Sequence, residues 1–181
     1  MTDIQIFDEL FVKENQLMTE KFQIWLKYSL FTWQWWFGFI LFFIAIIFWM
    51  NFRKKESTDR LLYSGFFVAI SASALDLIGD SLGLFHYHYE VLPFTSNYVP
   101  WSICILPIVV MVFLQIKPNL NPFLKAAIFS TLGSLITLPF LSLIGIYHAV
   151  KWNYFYSFII LGVIYLIAHF FVQRNHFEQI N

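Results

Sequence analysis

The sequence predicts an all-α integral membrane bundle, five transmembrane helices preceded by an amphipathic N-terminal helix. Three observations carry that expectation. Hydrophobic residues make up 59% of the chain against 12% charged, the mean hydropathy is +0.67, and long apolar stretches recur along the 181 residues. A soluble domain is typically about a quarter charged and could not hide this much apolar surface. In lipid, a chain of this length suffices for one bundle, because each helix satisfies its own backbone groups. The 11 basic and 11 acidic residues cancel, so the electrostatic footprint of a nucleic-acid binder is missing and nucleic acid is not an expected partner. The single cysteine, Cys104, lies in an apolar stretch and reads as a small core residue. Alone, it builds neither an intrachain disulfide nor a thiolate metal cage.

Residues 1–30 lack the basic start and apolar core of a cleavable signal peptide and carry Asp3, Asp8, Glu9, Glu14 and Glu20. Phe7, Leu10, Phe11, Leu17, Met18, Phe22 and Trp25 recur at helical spacing, which predicts an amphipathic helix lying along the outer membrane surface. Such a helix either anchors and steers the first span or caps a cavity beside it. The transmembrane domain is expected over 31–172, with spans at 31–52, 61–78, 98–116, 126–146 and 154–172. Each approaches the about 20 residues that a crossing requires. Phe31, Trp33, Trp35 and Trp36 open the first as an aromatic belt. Pro107 in the third and Pro139 in the fourth remove internal hydrogen bonds, which predicts kinks where neighbouring helices satisfy the freed carbonyls. Ser130, Thr131, Ser134, Thr137, Gly133 and Gly145 are packing devices of the fourth span. No internal repeat is evident.

Seven of the 11 basic residues, among them Arg53, Lys54 and Lys55, fall on one side of the expected spans. The positive-inside rule then places that side and the tail 173–181 in the cytoplasm. The N-terminus and the loop 81–97 lie outside.

Candidate site residues follow from where polar groups are costly. Asp76 is the one ionisable residue well inside a span, and a charge there costs at least about 2.5 kcal/mol. Asp80 follows at i+4 and Ser73 precedes at i−3, a polar stripe continued inward by Ala69 and Gly65 at the spacing that lets helices approach closely. Two readings stand: Asp76 and Asp80 as catalytic acids, one carboxyl being held protonated by the other, or Asp76 as a packing group that hydrogen-bonds tyrosines or freed backbone near the kinked third helix. In the outer loop, His86, His88 and Glu90 would point the same way in an extended chain, a spacing that can chelate an ion with Asp80 as fourth ligand. The simpler reading of alternating histidines and tyrosines is an interfacial belt, and no metal or cofactor is assigned. Ser73, His86, His88, Glu90 and Trp101 are the expected binding residues.

The runs Tyr28 to Trp36, Gly83-Leu84-Phe85-His86-Tyr87, Pro100-Trp101 with Pro107 and Gln115, and Trp152 to Phe158 resemble an uncharacterised multi-pass membrane family of spore-forming Firmicutes. The resemblance covers nearly the whole chain and implies a five-helix membrane fold, with no activity to carry over. An intramembrane Asp followed by Gly-x-aromatic-x-aromatic is also similar to membrane domains of the lycopene cyclase type, which protonate isoprenoid double bonds. The first family often has an acid after the Pro-Trp pair and another before the proline of the fourth helix. This chain has Ser102 and Leu138 there. The expectation is therefore a non-catalytic protein that binds a membrane lipid, a partner transmembrane helix or a second copy of itself. The alternative is a cyclase-like enzyme acting on an isoprenoid or other apolar lipid.

Overall fold

The computed structural model describes residues 3–95 and 97–174, so the expected tail lies largely outside the described residues. Helix α1 (Asp3–Tyr28) is the expected amphipathic helix, with Asp3 in its first turn and Lys27 in its last, each suited to the helix dipole. None of its residues is buried. It meets the rest of the chain near its C-terminal end, where Lys21 Nζ pairs with Glu90 Oε2 at 3.0 Å and Trp25 Nε1 donates to Glu90 O at 2.6 Å. Phe22 stacks on Phe94 beside them at 5.9 Å. Its apolar side, including Phe7, Leu10, Phe11 and Leu17, is left uncovered by protein.

A tight turn with Phe31 at φ 60 leads into α2 (Trp33–Phe52), capped by the Thr32 side chain on Trp35 N–H. A short 3-10 turn (Lys55–Ser57) precedes α3 (Thr58–Ser81). After a loop comes a π-helical segment Pro100–Ile105 continued by α4 (Leu106–Gln115). The next long helix runs as α5 (Pro122–Ser130), a π segment Thr131–Thr137 and α6 (Leu138–Leu143). α7 (Tyr154–Gln173) closes the described chain. Four of these helices, Trp33–Phe52, Lys55–Ser81, Pro122–Leu143 and Tyr154–Gln173, are long and apolar enough to cross a membrane. The third expected span is not: Pro100–Gln115 is apolar but shorter than the about 17 residues a crossing usually takes.

Where kinks are expected, the helix takes one form at both prolines. The two π segments end immediately before a proline's own turn: Leu106 N–H reaches back to Trp101 O, and Leu138 N–H to Gly133 O. Pro107 and Pro139 lack the N–H for the usual bond and press on the carbonyl one turn earlier, and widening the preceding turn relieves that clash without ending the helix.

At the basic end of the bundle two side chains replace missing backbone partners. Gln115 accepts from Lys54 N–H at 3.1 Å and donates to Phe52 O at 3.1 Å, tying α4 to the turn between α2 and α3. Lys125, only 4% exposed, donates to Phe113 O at 2.7 Å and Ile116 O at 2.6 Å, carbonyls left over at the end of α4. Lys125→Met keeps the packing but strands both carbonyls, so it should lower stability by about 1–3 kcal/mol. Equilibrium unfolding of the detergent-solubilised protein measures this, and an unchanged midpoint would contradict it.

At the other end α3 and α6 each turn into a short strand. β1 (Phe85–Tyr87) pairs antiparallel with β2 (Tyr147–Ala149), Phe85 opposite Ala149, His86 opposite His148 and Tyr87 opposite Tyr147. The two corners match bond for bond. Gly83 (φ 61) donates to Asp80 O and Leu84 to Gly79 O, while Gly145 (φ 79) donates to Ser142 O and Ile146 to Leu141 O. Left-handed backbone favours glycine at both places. Gly83-Leu84-Phe85-His86 and Gly145-Ile146-Tyr147-His148 are thus a short internal repeat, correcting the expectation of none. The repeat exchanges Phe85 with Tyr147 and Tyr87 with Ala149, so the ribbon has local two-fold character about the His86–His148 pair.

Candidate functional site

The ribbon roofs a cavity. Strand alternation turns Phe85, Tyr87 and Tyr147 inward and the histidines outward. The inward rings pack into one layer, Tyr87 tilted 5.4 Å from Tyr147 and stacked 5.6 Å from Tyr98, with Phe85 edge-on 5.5 Å from Trp152. Beneath them is a space of about 110 Å³ between α3, the start of the Pro100–Gln115 helix, α6 and α7. By this measure one water needs roughly 10–15 Å³, so the cavity takes several water-sized groups or the end of a chain, not a whole lipid.

Its walls are apolar except around Asp76. Asp76 is 8% exposed; Tyr87 Oη donates to its Oδ1 at 3.2 Å, and Ser102 Oγ donates to its Oδ2. Burial and then the Asp76 carboxylate hold the Tyr87 phenol well above its ordinary pKa, so Tyr87 remains a donor. The lining residues left half-exposed or exposed include Leu75 and Ile78 on α3 and Ser157 and Ile160 on α7. The cavity is therefore least enclosed along the seam between those two helices. Trp152, whose Nε1 donates to Ser157 Oγ at 2.8 Å, stands at the roof end of that seam.

Trp101 and Leu106 line this cavity and also a second, apolar one of about 260 Å³ between α2, the Pro100–Gln115 helix and the helix that runs from α5 through its π segment to α6. The Tyr98 hydroxyl, buried without a partner, lies against Gly38 at its edge.

Of the residues expected from sequence, Asp76 and Trp101 meet in the cavity, as do Ser102 and Leu138. Asp80 and Ser73 do not. Ser73 accepts from Asn97 Nδ2 at 3.2 Å, and Asp80 is half-buried at the C-terminal end of α3. The buried face of α3 runs through Gly65, Val68, Ala72, Asp76 and Gly79. Each four-residue step overshoots a helical turn by about 40°. The stripe drawn at constant i+4 spacing therefore slides off the packed face before it reaches Ser73.

Glu90 also leaves the expected set. Tyr89 has φ 53, which breaks the alternation and turns Glu90 toward α1, where it is buried against Lys21 and Trp25. Burial pushes the Glu90 carboxyl up while Lys21 pulls it back down. His86 and His88 do come together, Nε2 to Nε2 at 3.0 Å, and the third member of their group is His148. Burial, then His88 and His148, lower the His86 pKa, with Asp80 opposing. His148 and Tyr147 are not among the site residues expected from sequence, where His148 reads only as a loop residue able to meet an anionic headgroup. The Gly-x-aromatic-His repeat was the signal that marks them.

No protein-family model, no curated protein and no solved structure matches the chain. Among the described residues, fold and site together define an all-α chain with four long apolar helices and, under a strand-paired aromatic roof, a buried carboxyl with one donor on each oxygen.

Proposed function

We propose that this is a multi-pass membrane protein that binds, without chemical change, the end of an apolar lipid chain, entered from the bilayer between α3 and α7. The observation that carries this reading is the Asp76 cavity: apolar walls, an aromatic roof and one carboxyl at its roof end. A carboxyl that accepts from Tyr87 and Ser102 still has lone pairs free, so a chain ending in a hydroxyl satisfies it where a bare hydrocarbon does not. The basic end of the bundle then faces the cytoplasm, and α1 lies with its uncovered apolar side on the outer leaflet.

Binding is favoured over cyclase-like acid catalysis by the company Asp76 keeps. Both its oxygens are engaged by the protein's own donors, Asp80 lies outside the cavity wall, and Ser102 and Leu138 stand where the resembled family carries acids. The test is labelling with a long-chain alcohol bearing a photoreactive diazirine. Ala72 lines the cavity and is buried, so the ring added by Ala72→Phe occupies the binding space. Labelling should fall at least fivefold in that variant at unchanged thermal stability. Equal labelling would contradict the proposal, and an altered alcohol released by the wild type would support the enzyme reading instead.

A further inference from the structure

We infer that the outer face of the β1–β2 ribbon is a binding site for a divalent transition ion of the zinc type, with His86, His88 and His148 as its ligands. The three imidazoles project from the side of the ribbon opposite the aromatic roof, His86 and His148 as a direct cross-strand pair. Their ring centres lie 4.7 Å (His86–His88), 5.1 Å (His86–His148) and 6.0 Å (His88–His148) apart. His88 Nδ1 lies 3.1 Å from Gly145 O, a group that can only accept, so in neutral His88 the proton sits on Nδ1 and Nε2 keeps its lone pair. This is the outer-shell arrangement that orients metal-bound histidines. The Nε2 atoms of His86 and His88 are 3.0 Å apart. Two nitrogens at about 2.0–2.1 Å from one zinc ion in tetrahedral geometry stand roughly 3.3 Å apart, so an ion fits between them after a small shift.

In the ion-free ribbon the His86 proton lies on Nε2, shared with His88. Binding transfers it through solvent to Nδ1, which frees the second lone pair with no net loss of protons. Among the described residues no three side chains stand already at ligand distances, so His148, which is exposed, has to swing toward the pair. Three imidazoles leave a fourth position to water or an anion. An ion there would cross-link the ends of α3 and α6 through the two strands that roof the Asp76 cavity.

The protein is purified without a histidine tag, and Zn²⁺ is titrated calorimetrically after chelator treatment. One ion should bind per chain, and zinc should raise the unfolding temperature. His88→Ala and His148→Ala should each weaken binding at least tenfold and abolish the thermal shift, while His169→Gln on α7 should leave both unchanged. Failure to bind one equivalent, or undiminished binding in His148→Ala, overturns the assignment. Circular dichroism of each variant confirms that the helices persist, so loss of binding is not loss of fold.

Discussion

Asp76→Ala should cost the protein about 3 kcal/mol or more of stability, the largest effect expected of a single substitution in the bundle. It strands the Tyr87 and Ser102 hydroxyls, both buried, and each unsatisfied buried donor costs about 1–3 kcal/mol. Asp76→Asn should cost about 1 kcal/mol, because one amide oxygen and two N–H groups meet hydroxyls that can turn to accept. The informative comparison is the triple variant Asp76→Leu, Tyr87→Phe, Ser102→Ala. Replacing all three partners by apolar groups removes the unsatisfied donors along with the carboxyl, so stability should return most of the way toward wild type. Equilibrium unfolding in detergent measures all three. A single alanine variant within about 0.5 kcal/mol of wild type would show that the network does not hold the roof.

Gly79→Val should detach the roof rather than loosen it. A Cβ on Gly79 would run into the Phe85 ring, and the branched side chain adds bulk against the same ring. Overpacking of this kind costs about 1–3 kcal/mol when neighbours can move. Phe85 is held between Tyr147 and Trp152, so the strain should pass to the strand pairing. The expected result is faster hydrogen exchange at the 85–87 and 147–149 amides with the helices still protected. Unchanged protection of the ribbon would contradict the close contact.

Much of this fold was legible in the sequence, because long apolar helices announce themselves by composition. The spans expected at 31–52 and 154–172 coincide with α2 and α7 to within two residues, and Pro107 and Pro139 mark the two π segments. The shortness of Pro100–Gln115 was harder to see, since the apolar run 98–116 continues past both ends of the helix. The candidate site was legible in two residues, Asp76 and Trp101. An Asp inside an apolar stretch stands out anywhere, and a tyrosine was anticipated as its partner, but its second partner is the Ser102 hydroxyl rather than the freed backbone that was expected. What surrounds it depends on pairing two strands of three residues separated by about sixty in sequence, and strands this short carry no periodicity. Tyr89 at positive φ then turned Glu90 toward Lys21 of α1, a conformation that an aromatic residue does not advertise.

The most direct test of the account is where the photoreactive alcohol attaches, read by peptide mapping of the labelled wild-type protein. The account predicts labels concentrated on Leu75, Trp101 and Ile160 around the Asp76 cavity, lost in Ala72→Phe. Labels spread over outward residues such as Phe43, Phe66 and Phe170, with none at the cavity and no change in Ala72→Phe, would contradict it.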